Sequence, residues 1–275
     1  MSARGIARRA AYTASLLCAL AAAVWAYRTQ DPRRPHMDYL TGWCLLALVL
    51  YLTAYNARKK LAALPLVSSR AWMRVHSWVG MLAGLAFVIH LRGRLPAGPF
   101  GWVLASLFVA VTLSGIAGWW LSRVLPPRLT SAGGEVPYER IPVIRRSLRE
   151  RAEALVLSGV PAAGATTLAD FYAARLSDFM KGPANFGPHL FGSSRTINSL
   201  LADLGQVRRY LSEGERKTAG ELAEILREKD TLDVHWSTQL VLKGWLFVHV
   251  PLTYGMLVFI AVHVVLVYAF SGGAR

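Results

Sequence analysis

Seven histidines are the residues of this chain best suited to chemistry: His36, His76, His90, His189, His235, His249 and His263. Four of them fall in two apolar stretches, where a side chain that titrates or coordinates is costly and usually has a function. His76 and His90 are 14 residues apart, and so are His249 and His263. At 3.6 residues per turn, such a pair projects from one face of a helix with its members ~21 Å apart along the axis. One member of each pair therefore reaches toward each surface of a hydrocarbon core about 30 Å thick. If the two stretches run in the same direction, His76 faces His249 at one level and His90 faces His263 at the other.

Two facing imidazoles can grip the iron of a flat macrocycle, one from each side. The pattern predicts two b-type haems, His76/His249 at the inner level and His90/His263 at the outer. With both axial positions filled, such iron suits electron transfer better than oxygen binding. Gly80, Ala83 and Gly84 leave room for a ring beside the first stretch, and Leu252, Met256 and Ile260 share the histidine face of the second. The anionic propionates call for cations: Arg70, Arg74 and Lys243 near the inner level, Arg92 and Arg94 near the outer. The same cations also serve to anchor the topology.

A lone membrane histidine is more often a helix–helix hydrogen bond than a ligand. The doubled spacing on two spans argues for ligation. His235 lies 14 residues before His249, which offers another register, but Ser237, Gln239 and Lys243 make that interval too polar for lipid. His235 reads as a surface histidine or, alternatively, as part of a quinone or proton site.

The elements that must position these groups follow from composition. Of 275 residues, 54% are hydrophobic and 17% charged, against about 25% charged in soluble domains. Five stretches have the length and apolarity of spans: Ala10–Tyr27, Tyr39–Tyr55, Ala71–Leu91, Phe100–Leu121 and Gly244–Phe270. The expected fold is an all-α integral membrane bundle of about five helices, four of them forming the haem core. Residues 1–121 carry the first four spans, 122–243 a polar, mainly helical insert, and 244–275 the last span and a short tail.

The first span, with Arg4, Arg8 and Arg9 before it, reads as a retained helix or as a signal peptide with a poor cleavage signal. Arg58, Lys59, Lys60, Arg70 and Arg74, with the N-terminal Arg4, Arg8 and Arg9, outnumber Arg28, Arg33, Arg34, Arg92, Arg94 and Arg275 on the opposite side; the bias places the N-terminus and the insert in the cytoplasm and the C-terminus outside, and the expected setting is a bacterial inner membrane. In the insert, Arg140–Ser158, Thr167–Met180, Thr196–Leu211 and Ala219–Leu226 have helical spacing. Pro126-Pro127, Gly133-Gly134 and Gly182-Pro183 punctuate it. Gly115 and Gly118 permit close helix contact, Trp119 and Trp120 suit an interface, and Pro251 is expected to kink its helix.

Several chemistries lack support. Cys18 and Cys44 cannot ligate an iron–sulfur cluster by themselves or attach haem covalently through CxxCH. GxGxxG before a helix, GxxxxGK[ST] and GxSxG are absent from the sequence. The net charge of +15 lies mostly beside apolar stretches, which argues for membrane topology and against nucleic acid as a partner.

The four histidines and the glycines of the first pair's helix resemble the di-haem b-type cytochromes, which include the cytochrome b of quinol-oxidising complexes and the transmembrane haem domain of ferric reductases and NADPH oxidases. The likeness covers roughly 71–121 and 244–270 and is one of ligand pattern. It implies electron passage across the membrane between haems, from a quinol or other donor to a redox protein subunit or periplasmic cytochrome. Unlike the oxidases and ferric reductases, the chain has only Ser271–Arg275 after its last span, so no flavin and nicotinamide domain is expected there. The expected function is that of an electron-transfer subunit. Alternatives are a self-contained quinol dehydrogenase or metal reductase, with His235 and Asp233 or His36 and Asp38 managing protons, and, less favoured, a haem-free Zn²⁺ or Cu²⁺ transporter.

Overall fold

Helices are the only regular structure in the computed structural model, which describes residues 36–60, 69–125, 136–159 and 167–271. In chain order they are α1 (His36–Lys60), α2 (Ser69–Leu91), α3 (Gly98–Val124), α4 (Ile141–Gly159), α5 (Thr167–Phe171), α6 (Ser177–Lys181), α7 (Phe186–Leu190), α8 (Arg195–Val207) and α9 (Glu213–Ser271). A π-helical turn, Tyr172–Leu176, joins α5 to α6. The expected span Ala10–Tyr27, Arg4, Arg8, Arg9, Arg28, Arg33, Arg34, Cys18, Pro126-Pro127 and Gly133-Gly134 lie outside the described residues, as do the side chains of His36, Asp38, Arg58, Lys59, Lys60 and Arg70.

Among the described residues, three helices are long and apolar enough to cross a membrane: Ala71–Leu91 of α2, Gly98–Val124 of α3, and α9 over Glu213–Phe270. The apolar stretch of α1, Tyr39–Ala54, is shorter. Their outward faces are apolar, with Leu113, Val258 and Val265 exposed, as a hydrocarbon solvent requires. Length and composition thus give the chain the character of a membrane protein.

The chain divides into two compact units, one comprising Met1–Ala117 with Val248–Arg275 and the other Gly118–Phe247. In the first, Val49, Ala83, Phe108 and Met256, one from each of α1, α2, α3 and α9, form the buried centre. Ring contacts set the helix directions. Phe87 of α2 stacks on Phe108 of α3, with centroids 4.1 Å apart, while Gly84 faces Thr112, so the two helices are antiparallel. Phe100 stacks on Phe259 at 5.6 Å and Ser114 meets His249, so α3 and α9 are antiparallel as well. It follows that α2 and α9 run parallel. Tyr51 stacks on Trp72 and Thr41 meets His90, which makes α1 antiparallel to α2. Beyond Leu91, Arg92 (φ 49°) and Gly93 (φ 68°) take the left-handed conformation that ends helices.

The second unit has a soluble-type core. Ile141, Leu148 and Ala152 of α4 recur at helical spacing and pack with Leu176, Met180, Leu200, Leu204, Leu222 and Leu226. Ile144 and Leu155 border the same core. The helices expected at Ala219–Leu226 and Gly244–Phe270 are one continuous element, α9, of 59 residues. Nothing between them breaks a helix: residues 227–243 contain neither glycine nor proline, and the lone proline of α9, Pro251, lies further on within it. At its start Ser212 and Glu215 form a reciprocal cap, the Glu215 carboxylate accepting the Ser212 N–H at 3.0 Å and the Ser212 hydroxyl accepting the Glu215 N–H at 3.4 Å. Two orphan donors of the first turn are thereby satisfied.

Candidate functional site

The parallel course of α2 and α9 places the histidines at two levels of the first unit. At the inner level His76 and His249 are near enough to interact electrostatically. The His249 ring is held from α3, its Nδ1 3.1 Å from Ser114 Oγ, and a Cβ on Gly115 would lie 3.8 Å from its Cε1. With its proton on Nδ1, the ring donates to the hydroxyl and Nε2 becomes the lone-pair nitrogen. Metal-bound histidines are oriented by just such a bond from their second nitrogen.

At the outer level His90 lies against α1. Its Nδ1 is 3.1 Å from Thr41 Oγ1, and a Cβ on Gly42 would stand 3.2 Å from its Cε1. His263 lies against α3, its ring nearly parallel (14°) to the Phe100 ring at 6.5 Å between centroids. Near Thr41 and Gly42, Trp43 Nε1 donates to the Tyr268 hydroxyl at 2.9 Å, tying α1 to α9. Thr41 and Ser114 play the same part at different levels, and neither stands out in the sequence.

Between the levels the bundle is filled by Val49, Ala83, Phe108 and Met256, which separates the inner pair from the outer. Gly84 is in ordinary contact with Thr112, and a Cβ on Gly80 would meet nothing within 4 Å. Gly80 is thus the place where α2 leaves open space beside the inner histidine.

The cations expected to meet propionates are dispersed. Arg74 is exposed and Arg92 half-buried in the turn after α2. Arg94 is exposed in the same turn. Lys243 belongs to the second unit, where its Nζ donates to Glu139 Oε1 at 2.6 Å and lies 4.3 Å from the centre of the Tyr138 ring. That bond holds the Glu139 carboxyl below its ordinary pKa.

His235 is fully buried in the second unit, which overturns its reading as a surface histidine. Residues 229–238 of α9 are buried on several faces at once, because other helices surround this stretch. Neither ring nitrogen of His235 has a hydrogen-bond partner. His235 and Asp233 do not form a pair: positions two apart diverge by about 200° around a helix. Asp233 is instead a structural hub. Its carboxylate accepts from Lys229 Nζ and from the Ala184 N–H at 3.1 Å, and Arg145 Nη2 stands 3.3 Å away. Burial pushes the Lys229 ammonium below its ordinary pKa, against the pull of Asp233. The buried His189 lies 3.4 Å from Asp230, whose carboxyl is raised chiefly by burial.

Among the described residues no group of three or more His, Cys, Asp or Glu side chains could hold a metal ion. His90 and His263 each pack against another helix, α1 and α3 respectively. Compared with family models, characterised proteins and solved structures, the chain finds no match.

Proposed function

We propose that the chain is a membrane electron-transfer subunit of the di-haem cytochrome b kind, with His76 and His249 as axial ligands of an inner haem and His90 and His263 of an outer one. The observation that carries this reading is geometric: the helices that bear His76 and His249 run parallel, and His249 is oriented through Nδ1 by Ser114. Open space at Gly80 and the chemistry of a two-imidazole donor set fit the group. The outer level is supported by the same ligand type and by the Thr41 bond to His90.

Bound haem would supply one-electron carriage at each level. The chain's own residues would hold the rings by Nε2, fix their orientation through Ser114 and Thr41, and exclude water with the apolar layer of Val49, Ala83, Phe108 and Met256. Arg74 at the inner end and Arg92 at the outer are the cations offered to propionates; Lys243 is engaged within its own unit by Glu139. The proposed setting is a bacterial inner membrane with the N-terminus in the cytoplasm, a quinol or another redox protein as donor, and a redox subunit or periplasmic cytochrome as partner. A quinol dehydrogenase or metal reductase in one chain draws less support, since Asp233 is committed to Lys229, Arg145 and Ala184.

The test is electron crossing. Proteoliposomes carrying the purified chain, with ferricyanide trapped inside and a reduced quinol analogue outside, should bleach the ferricyanide faster than empty vesicles. His249→Ala should abolish the difference. Equal rates with and without protein would overturn the proposed function.

A further inference from the structure

The second unit contains a cleft of about 350 Å³ whose lining includes Arg145, Arg146, Arg149 and Lys181 and no acidic residue. The three arginines, with Pro142, form one stripe of α4, since positions i, i+3, i+4 and i+7 share a helix face. The opposite wall is the end of α6 and the turn Gly182-Pro183. A second concavity in the same unit has the reverse character, with Glu221, Glu224 and Glu228 against Arg151 alone. The concentration of positive charge in the first is therefore a local feature of the fold.

The acids near these cations do not neutralise the cleft. Glu150, Glu153 and Asp178 pair with Arg146, Arg149 and Lys181 from outside it, at 2.8, 3.5 and 2.8 Å. Exposed pairs of this kind contribute at most about 1 kcal/mol and yield readily to a better acceptor. Asp233 accepts from Lys229 and the Ala184 N–H and stands 3.3 Å from Arg145 Nη2, so its one charge is shared between two cations. The Arg145 side chain is only 10% exposed, and its buried Nε has no hydrogen-bond partner; Arg149, 39% exposed, pairs with Glu153 through its Nε. A buried guanidinium donor without an acceptor is costly, and Arg145 brings one to the border of this basic cleft. Guanidinium forks match the oxygens of phosphate in a bidentate manner, while a lysine adds a point charge.

We propose that this cleft binds a doubly charged phosphate group, of either a soluble phosphate ester or a lipid headgroup, through Arg145, Arg149 and Lys181. This site is independent of the haem reading.

The experiment uses the full chain in zwitterionic nanodiscs, titrated calorimetrically with inorganic pyrophosphate and, separately, with dihexanoyl phosphatidic acid at fixed ionic strength. Saturable binding of one equivalent of at least one probe is expected. Comparable affinities assign the site to soluble phosphates, and clearly tighter binding of the acylated probe assigns it to headgroups. Because Arg145 also touches the Asp233 hub, the informative variant is Arg149→Gln with Lys181→Gln, both on partly exposed side chains. It should keep its helical circular dichroism and lose about tenfold or more in affinity, the loss expected for removing charge-assisted bonds. Saturation by neither probe, or unchanged affinity in the double variant, would overturn the proposal.

Discussion

Ser114 on α3 stands 3.1 Å from the Nδ1 of His249 on α9, so a hydroxyl from one helix fixes the imidazole of another. An orienting partner of this kind typically contributes 10–100-fold to metal affinity. Ser114→Ala should therefore weaken retention of the inner haem by about tenfold or more while leaving the outer one in place. Haem loss to apomyoglobin, followed by absorbance, measures both phases.

The outer level has its own anchor in Thr41, 3.1 Å from His90 Nδ1. Thr41→Val should perturb the outer haem alone, and His90→Ala should remove it with the inner one largely retained. A redox titration resolves the two centres: one of two transitions should shift in the first variant and vanish in the second.

Asp233 holds two cations and a backbone N–H at zero exposure. Removing one partner of a buried ionic set typically costs about 3–5 kcal/mol, so Asp233→Asn should destabilise the second unit by an amount in that range. Lys229→Met should cost less, because Arg145 and the Ala184 N–H still serve the carboxylate. Denaturant unfolding followed by circular dichroism is the measurement.

The lowered pKa of buried Lys229 has a definite sign. Within the window between its folded value and the ordinary lysine value of about 10.4, the unfolded chain binds more protons than the folded one. Stability of the second unit then rises with pH through that window. Lys229→Met should flatten this dependence, which unfolding midpoints across alkaline pH would register.

Gly118 lies under the indole of Trp245, and a Cβ there would overlap the ring. Gly118→Ala should cost about 1–3 kcal/mol through overpacking, whereas the combined Gly118→Ala and Trp245→Leu should recover part of it. Thermal melts of the two variants compare them directly.

The helical fold and the membrane character were legible because apolar length and the lack of strand patterning survive any tertiary arrangement. His76, His90, His249 and His263 stood out by spacing along single helices, which is a one-dimensional signal. Thr41 and Ser114 did not: they lie 49 and 135 residues from their histidines, and a hydroxyl in an apolar helix leaves no periodic trace. His235 was misleading for a related reason. Its neighbours Asp233, Ser237 and Gln239 look like a solvated face, yet Asp233 and Ser237 are buried by helices from elsewhere in the chain. Gln239 is drawn in by a bond to the Val136 carbonyl at 2.8 Å. The continuity of α9 was hidden by the change from polar to apolar composition, which marks a change of surroundings and not a break in the helix.

The most direct measurement is a pyridine haemochrome count on the purified chain, expressed with ample haem supply, beside the His76→Ala and His90→Ala variants. Two b-type haems per chain are expected in the wild type and about one in each variant. A haem-free wild-type chain, or variants that keep the full complement, would contradict this expectation.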